Sequence, residues 1–170
     1  AEVFLWEGSY PVTDILGTDS RLDNYTDALM LLTAAYPGDE SLTDRALKAY
    51  RYTTAANEDP VLALTAHYID GKEVEPVSYE RYWHGYLIML KPLLLLFDYS
   101  EIRLVNLAYT ALSLFCLMLL MYRVGLGRYI PALALCLLAV DISAIVRSLQ
   151  YSSMLHLSVL ASMLLMSMYE

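Results

Sequence analysis

The chain has 170 residues, of which 58% are hydrophobic, and its formal net charge is −8. A soluble domain is about 45–50% apolar, so this excess indicates a protein with membrane-embedded segments. The acidic balance supplies no basic patch for a polyanion, so we expect no nucleic-acid partner.

Charge is unevenly distributed along the chain. Residues 1–83 contain 15 of the 19 acidic and 6 of the 11 basic residues, a net charge of −9. Residues 84–170 contain 4 acidic and 5 basic residues, a net charge of +1. This division predicts an acidic, water-facing region at 1–83, a juxtamembrane helix and turn at 84–103, and a membrane region at 104–170.

The acidic region begins with residues 1–22, whose turn formers predict irregular structure. Apolar residues at helical spacing then predict a helix from Asn24 to Tyr36, which Pro37-Gly38 ends. Asp23 is placed to cap this helix, and Asp27 lies in its first turn.

A second helix is predicted from Leu42 to Ala56, because Ser41-Leu42-Thr43-Asp44 resembles a capping box. Residues 61–79 are ambiguous. Asp70-Gly71 fits either a hairpin turn between two short strands or a simple loop.

Two apolar runs of different length follow. Tyr86 to Phe97 would form a helix of about 18 Å, too short to cross a hydrocarbon core of about 30 Å. Leu104 to Met121 would reach about 27 Å and can cross it. Further spans are predicted at 129–146 and 150–168. We therefore predict an all-α membrane protein with a mostly helical extracytoplasmic region, an interfacial juxtamembrane helix and about three transmembrane helices.

The basic loop at 122–128 orients these helices. Arg123 and Arg128 favour the cytoplasmic side by the positive-inside rule, which makes residues 1–103 extracytoplasmic. If the run at 84–97 crossed the membrane instead, the acidic region and the basic loop would both be cytoplasmic. Because Ala1 is not methionine and Glu170 directly follows an apolar run, we expect a fragment of a larger polytopic protein.

The ordered motifs resemble those of the GT-C superfamily, the polytopic glycosyltransferases that use lipid-linked sugars. The sequence from Leu22 to Leu29, Leu-Asp-Asn-Tyr-Thr-Asp-Ala-Leu, is similar to the family's acidic motif. His84-Gly85-Tyr86-Leu87 stands where the family has a His-Pro-Pro-Leu-like sequence, and Asp98 to Leu104 resembles the following turn and Arg-Leu. Two departures are that Asn24 replaces the usual second acid and that Gly85-Tyr86 replaces two prolines.

The resemblance implies transfer of a sugar from a polyprenyl-phosphate donor to an extracytoplasmic glycan or protein acceptor, with the fragment alone inactive. Asp23 would be the general base, and Asp27 its support or a ligand of a divalent cation. The donor phosphate would be held by cationic or hydrogen-bonding side chains. Those candidates are Arg103, His84, Arg81 and Lys91.

Each of these residues also has a structural interpretation. Asp19, Asp23 and Asp27 are spaced by four, but the latter two fit helix capping equally well. Arg103 could anchor a span end at the headgroups. His84 could belong to an interfacial aromatic belt. The spacing of the aspartates and His84 does not by itself support a metal site.

The alternative function is a non-enzymatic polytopic protein such as a flippase, a transporter or an assembly subunit. It would depend on Asp141 and His156, because ionisable groups inside a membrane often line pathways. Their structural interpretations are pairing of Asp141 with Arg147 and an interhelical hydrogen bond from His156. A soluble helical protein would require the 104–121 run to be a buried core helix.

Overall fold

The computed structural model describes residues 1–13, 20–38, 41, 43–44, 48–54, 58–79 and 84–168. The protein is mostly helical, as predicted. The all-α prediction needs correction, because two short antiparallel strand pairs are also present.

The helices in the described residues are α1 (Glu2–Glu7), α2 (Asn24–Ala35), α3 (Pro60–Tyr68), α4 (Leu87–Leu96), α5 (Tyr99–Arg123), α6 (Ile130–Ala139), α7 (Ile142–Ile145) and α8 (Leu149–Ser167). The strands are β1 (Val12–Thr13) paired with β2 (Ser20–Arg21), and β3 (Arg51–Thr53) paired with β4 (Glu75–Val77). A 3₁₀ turn at Gly127–Tyr129 precedes α6.

The chain forms two compact units. The first contains residues 1–11 and 23–102, and the second contains residues 12–22 and 103–170. Helix α5 begins in the first unit and continues into the second.

Helix α2 is the centre of the first unit and confirms the predicted helix closely. The Asp23 side chain caps it, and nine of its twelve residues are buried. It packs against α3, β3 and α4. A helix buried on nearly all sides needs neighbours on several faces, which these three elements supply.

Two predictions for the acidic region need correction. Residues 1–22 are not all irregular, because α1 forms where Phe4 is buried against the unit's core. Ser41 caps the backbone N–H of Asp44 at 3.1 Å as predicted, but the helix does not reach residue 56. Ala49 has a positive φ of 41°, which ends helical geometry before β3. Part of this predicted helix lies outside the described residues.

Asp70-Gly71 forms a turn after α3 and does not connect two paired strands. The partner of β4 is β3, more than twenty residues earlier, with Tyr52 opposite Pro76. The loop interpretation of this turn is therefore the correct one.

The short run at 84–97 forms α4, whose ten residues span about 15 Å. Half of its large apolar side chains are exposed, including Ile88 at 79% and Leu95 at 86%. Asp98 and Glu101 then form a reciprocal capping box, with N···O distances of 2.8 and 2.9 Å. This box starts α5 two residues after α4 ends.

In the second unit α5 and α8 run in the same direction. The Asn106 amide donates to the Ser152 hydroxyl at 3.0 Å, and four residues further along each helix Thr110 contacts His156 at 2.8 Å. Leu117, Met121 and Val159 continue the contact as an apolar cluster. Because the two helices are parallel, the segment between them must return the chain from one end of the pair to the other.

That returning segment is not the single helix predicted at 129–146. Helix α6 ends at Ala139, and Asp141 adopts a left-handed conformation with φ of 50°. The Asp141 carboxylate accepts from the Ala144 N–H and the Ser143 hydroxyl, and it thereby caps α7. An acid in the middle of an apolar helix would have no such donors, so the chain breaks where the acid occurs.

Two helices are long and apolar enough to cross a membrane, α5 and α8. Only 28% and 17% of their most apolar windows are buried within the protein. A core helix of a soluble protein would be mostly covered, so this exposure favours a membrane-embedded helix over a soluble core helix.

Candidate functional site

A cavity of about 780 Å³ lies within the first unit. Its volume is within the range of about 300–1,000 Å³ typical of small-molecule sites. The wall is mainly apolar and comes from α2, α3, α4 and the turn that follows α4. The lining residues are Ala1, Leu31, Ala34, Ala35, Tyr36, Pro37, Leu64, Tyr68, Lys91, Leu94, Leu95, Leu96, Phe97, Asp98 and Tyr99.

Tyr99 connects this cavity to the acidic motif. Its hydroxyl donates to the Asp27 carboxylate at 2.7 Å, and Asp27 is completely buried. Phe4 stacks on the Tyr99 ring with centroids 4.8 Å apart. Two sequence motifs about seventy residues apart are therefore in direct contact, and the Asp27 carboxylate is enclosed by protein.

Asp23 has a different environment from Asp27, although the two are one helical turn apart. Its carboxylate accepts from the Thr26 N–H at 3.0 Å and from the Thr26 hydroxyl at 2.7 Å. The side chain is only half-buried, so it retains access to solvent. Asp23 is thus a helix cap that a substrate hydroxyl could still approach.

Asn24, which departs from the family motif, has a structural role. It is buried, and its amide donates to the Glu7 carboxylate at 3.0 Å and to the Gly8 carbonyl at 2.8 Å. These two bonds hold the end of α1 against the start of α2. A carboxylate at position 24 could not donate either bond.

Lys91 is the predicted donor-binding residue that lines the cavity. It lies on α4, is half-buried, and also borders a smaller pocket formed with Thr33 and Tyr50. The cavity therefore combines a leucine-rich wall with the ammonium group of Lys91. Asp98 also lines the cavity, and its carboxylate is a hydrogen-bond acceptor there.

His84 lies in an aromatic environment. Its Nε2 is 2.8 Å from the Tyr79 carbonyl, and its Nδ1 is 3.4 Å from the Tyr86 hydroxyl. Burial raises the pKa of Tyr86 to about 12, opposed by its hydrogen bond with Thr33. The Tyr86 hydroxyl therefore stays neutral at physiological pH. His84 is not among the described residues that line the cavity, and neither is Asp23.

The remaining predicted site residues either do not line the cavity or lie outside the described residues. Arg103 is half-buried near the start of α5, in the second unit. Arg81 and Asp19 lie outside the described residues. Among the residues the structure covers, no three His, Cys, Asp or Glu side chains converge to hold a metal ion.

Asp141 and His156, on which the non-enzymatic alternative depends, both have structural partners. Asp141 caps α7. The His156 ring contacts the Thr110 hydroxyl and stands edge-on to Tyr109 with centroids 4.5 Å apart. The predicted interhelical hydrogen bond from His156 is confirmed.

Sequence reasoning missed Tyr99 and the cavity. Asp98-Tyr99-Ser100-Glu101 has the spacing of a capping box, which would have placed Tyr99 at the first position of α5. No local signal indicates its partner Asp27, because that contact depends on how α2 and the start of α5 pack.

Comparison with known protein families, curated proteins and solved structures finds no match to this chain.

Proposed function

We propose that the chain is the first extracytoplasmic region and the following membrane helices of a glycosyltransferase that takes its sugar from a polyprenyl phosphate. The cavity in the first unit is the observation that carries this proposal. Its leucine wall suits a hydrocarbon chain, Lys91 suits a phosphate, and Tyr99 links the wall to the acidic motif.

In the proposed reaction an acceptor hydroxyl attacks the anomeric carbon of the donor sugar. The bond between that carbon and the phosphate oxygen breaks, and the polyprenyl phosphate leaves with the bonding electrons. Asp23 takes the proton of the attacking hydroxyl. Lys91 offsets the charge that develops on the phosphate, assisted in our proposal by His84.

The roles of the two aspartates differ in this proposal. Asp27, enclosed and bonded to Tyr99, holds α2 in place. Asp23 is about 6 Å further along the helix axis and is the accessible member of the pair. This division supports Asp23 as the base.

Lys91→Met is expected to weaken binding of a photoactivatable polyprenyl phosphate about tenfold, because the variant keeps the side-chain length and removes a charge-assisted bond. Crosslinking yield against lipid concentration measures the change. Lys48→Met is the matched control, since Lys48 is exposed, pairs with Asp44 and does not line the cavity. Equal crosslinking in all three proteins would contradict the donor site.

The proposed sidedness follows from the basic loop after α5. We propose that residues 1–103 are extracytoplasmic, that α4 lies along the membrane surface, and that 122–128 is cytoplasmic. The exposed apolar side chains of α4 support its placement along the membrane surface. The parallel arrangement of α5 and α8 supports a third membrane crossing, which α6 and α7 would form together. This crossing is broken at Asp141, which is 4% exposed, so the irregular backbone there is buried in protein.

Single cysteines at two exposed positions should report this topology in cells. With Cys116 and Cys136 replaced by serine, Asp70→Cys should react with a membrane-impermeant maleimide in intact cells, whereas Tyr122→Cys should react only after permeabilisation. Protection of both cysteines would instead mean that α4 crosses the membrane. Labelling of Tyr122→Cys alone would reverse the orientation.

The non-enzymatic alternative is a flippase, a transporter or an assembly subunit. It predicts that Asp23 is dispensable and that Asp141 and His156 matter for activity. Their capping and interhelical bonds give this alternative no specific support.

A further inference from the structure

A row of five aromatic rings lies beside the cavity in the first unit, and we call it the aromatic row. Its members in contact order are Tyr50, Tyr36, Tyr52, His67 and Tyr68. Successive ring centroids are 5.7, 5.2, 5.4 and 4.6 Å apart. The row is assembled from the end of α2, the region of β3 and the end of α3.

Local geometry explains why these rings meet. Tyr50 and Tyr52 are two residues apart at β3, so they project to the same face of the strand, with Arg51 on the other. Arg51 there stacks over Tyr79, 5.5 Å from its ring centroid. Tyr36 follows directly after α2 and reaches both Tyr50 and Tyr52. The aromatic row is thus built by three elements and is not a local feature of one helix.

The row is not a closed core. None of its members is fully buried, and Tyr68 is 51% exposed. Tyr36 and Tyr68 also line the large cavity, and Tyr50 lines the small one. Its rings therefore border both cavities.

The polar groups around the row are the tyrosine hydroxyls, the His67 imidazole and the charged side chains of the turn after α3. His67 Nδ1 is 3.3 Å from the Lys72 carbonyl, which restrains the imidazole. Asp70 and Lys72 form an exposed pair at 3.7 Å directly after α3. These groups can exchange hydrogen bonds with water or with a polyhydroxylated ligand.

We propose that the aromatic row binds the pyranose ring of a sugar. A pyranose presents C–H bonds on one face and hydroxyls around its rim, whereas a tyrosine presents a negative ring face and a polar edge. This inference rests on the proposed function and adds the sugar-binding surface of the same site. Successive rings here are inclined at 39°, 77°, 47° and 68°. Aromatic-lined grooves also bind polyproline helices, so a proline-rich peptide is included in the test.

Saturation-transfer NMR on the purified chain in a detergent without a sugar headgroup tests the proposal. The probes are methyl pyranosides of glucose, galactose and mannose, with sorbitol as an open-chain polyol. Transfer to ring C–H protons of at least one pyranoside, and none to sorbitol, is expected. Absence of transfer to all pyranosides would overturn the proposal, as would binding of a proline-rich peptide alone.

Tyr68→Leu is expected to weaken pyranoside binding about tenfold, because it removes one stacking face. Tyr68→Phe retains the ring and should stay within about twofold of wild type. Tyr10→Leu is the matched control, since Tyr10 is 55% exposed, pairs with Tyr25 and does not line the cavity. Equal weakening by Tyr10→Leu and Tyr68→Leu would overturn the site.

The same titration with a polyprenyl-phosphate sugar shows whether the bound pyranose ring belongs to the donor sugar or to the acceptor. Tighter binding of the lipid-linked form, lost in both Tyr68→Leu and Lys91→Met, assigns the row to the donor sugar. Equal binding of both forms assigns it to the acceptor. These measurements need no catalysis, so pyranoside binding combined with donor crosslinking that Lys91→Met leaves unchanged would support the row while contradicting the proposed donor site.

Discussion

Replacing Asp23 with Asn in the full-length protein is expected to reduce sugar transfer by about 10²–10⁴-fold, the usual contribution of a general base. Asn caps a helix about as well as Asp, so the bond to the Thr26 N–H survives while the basic carboxylate is lost. Transfer from a radiolabelled polyprenyl-phosphate sugar in membranes is the measurement. The substitution therefore separates the chemical role of Asp23 from its structural role.

The control for this experiment is Asp23→Ala, which removes both the cap and the carboxylate. It should lower the stability of α2 by about 1 kcal/mol, a loss that Asp23→Asn should not show. Thermal unfolding in detergent compares the two variants. Wild-type transfer by Asp23→Asn would show that the residue only caps the helix and that another group accepts the proton.

Tyr99→Phe is expected to destabilise the first unit by about 1.5–3 kcal/mol, because it removes a hydrogen bond to a buried carboxylate. The ring and its stacking on Phe4 are retained, so the loss reports the hydroxyl. Thermal unfolding measures the change. Transfer activity should fall as well, since Tyr99 also lines the cavity.

A double-mutant cycle assigns this loss to the Asp27–Tyr99 pair. Asp27→Asn, Tyr99→Phe and the double variant should show a coupling energy of about 0.5–3 kcal/mol, as expected for residues in contact. Tyr25→Phe is a matched control at a half-buried tyrosine of the same unit. Additive effects of the two substitutions would mean that the hydrogen bond contributes nothing to stability.

Helices with local signals could be predicted from the sequence. Asp23 and Pro37-Gly38 bracket α2, and long, mainly apolar runs without Asp, Glu, Lys or Arg predict α5 and α8. The strand pair β3–β4 could not be predicted, because Arg51–Thr53 continues a helical pattern and becomes a strand only by pairing with distant residues.

The candidate site was only partly accessible to sequence reasoning. Lys91 was recognisable as a charged residue in an apolar run and Asp27 as part of the acidic motif. Lys91 lines the cavity, and Asp27 contacts the lining residue Tyr99. The cavity itself depends on the packing of α2, α3 and α4, which no local pattern encodes. Asp141 was recognisable as an anomaly within an apolar run, but its left-handed backbone and capping role were not.

The two polar contacts between α5 and α8 bear on how this helix pair can evolve. Sliding one helix by a single turn would leave a polar group opposite an apolar one, so Asn106–Ser152 and Thr110–His156 together select one register. Leucine and methionine contacts discriminate poorly between registers. We therefore expect apolar positions such as Leu117 and Val159 to tolerate exchange with other apolar residues, whereas Ser152 and Thr110, exposed by 1% and 2%, should tolerate little. The mutational freedom of this helix pair is concentrated in its hydrophobic residues.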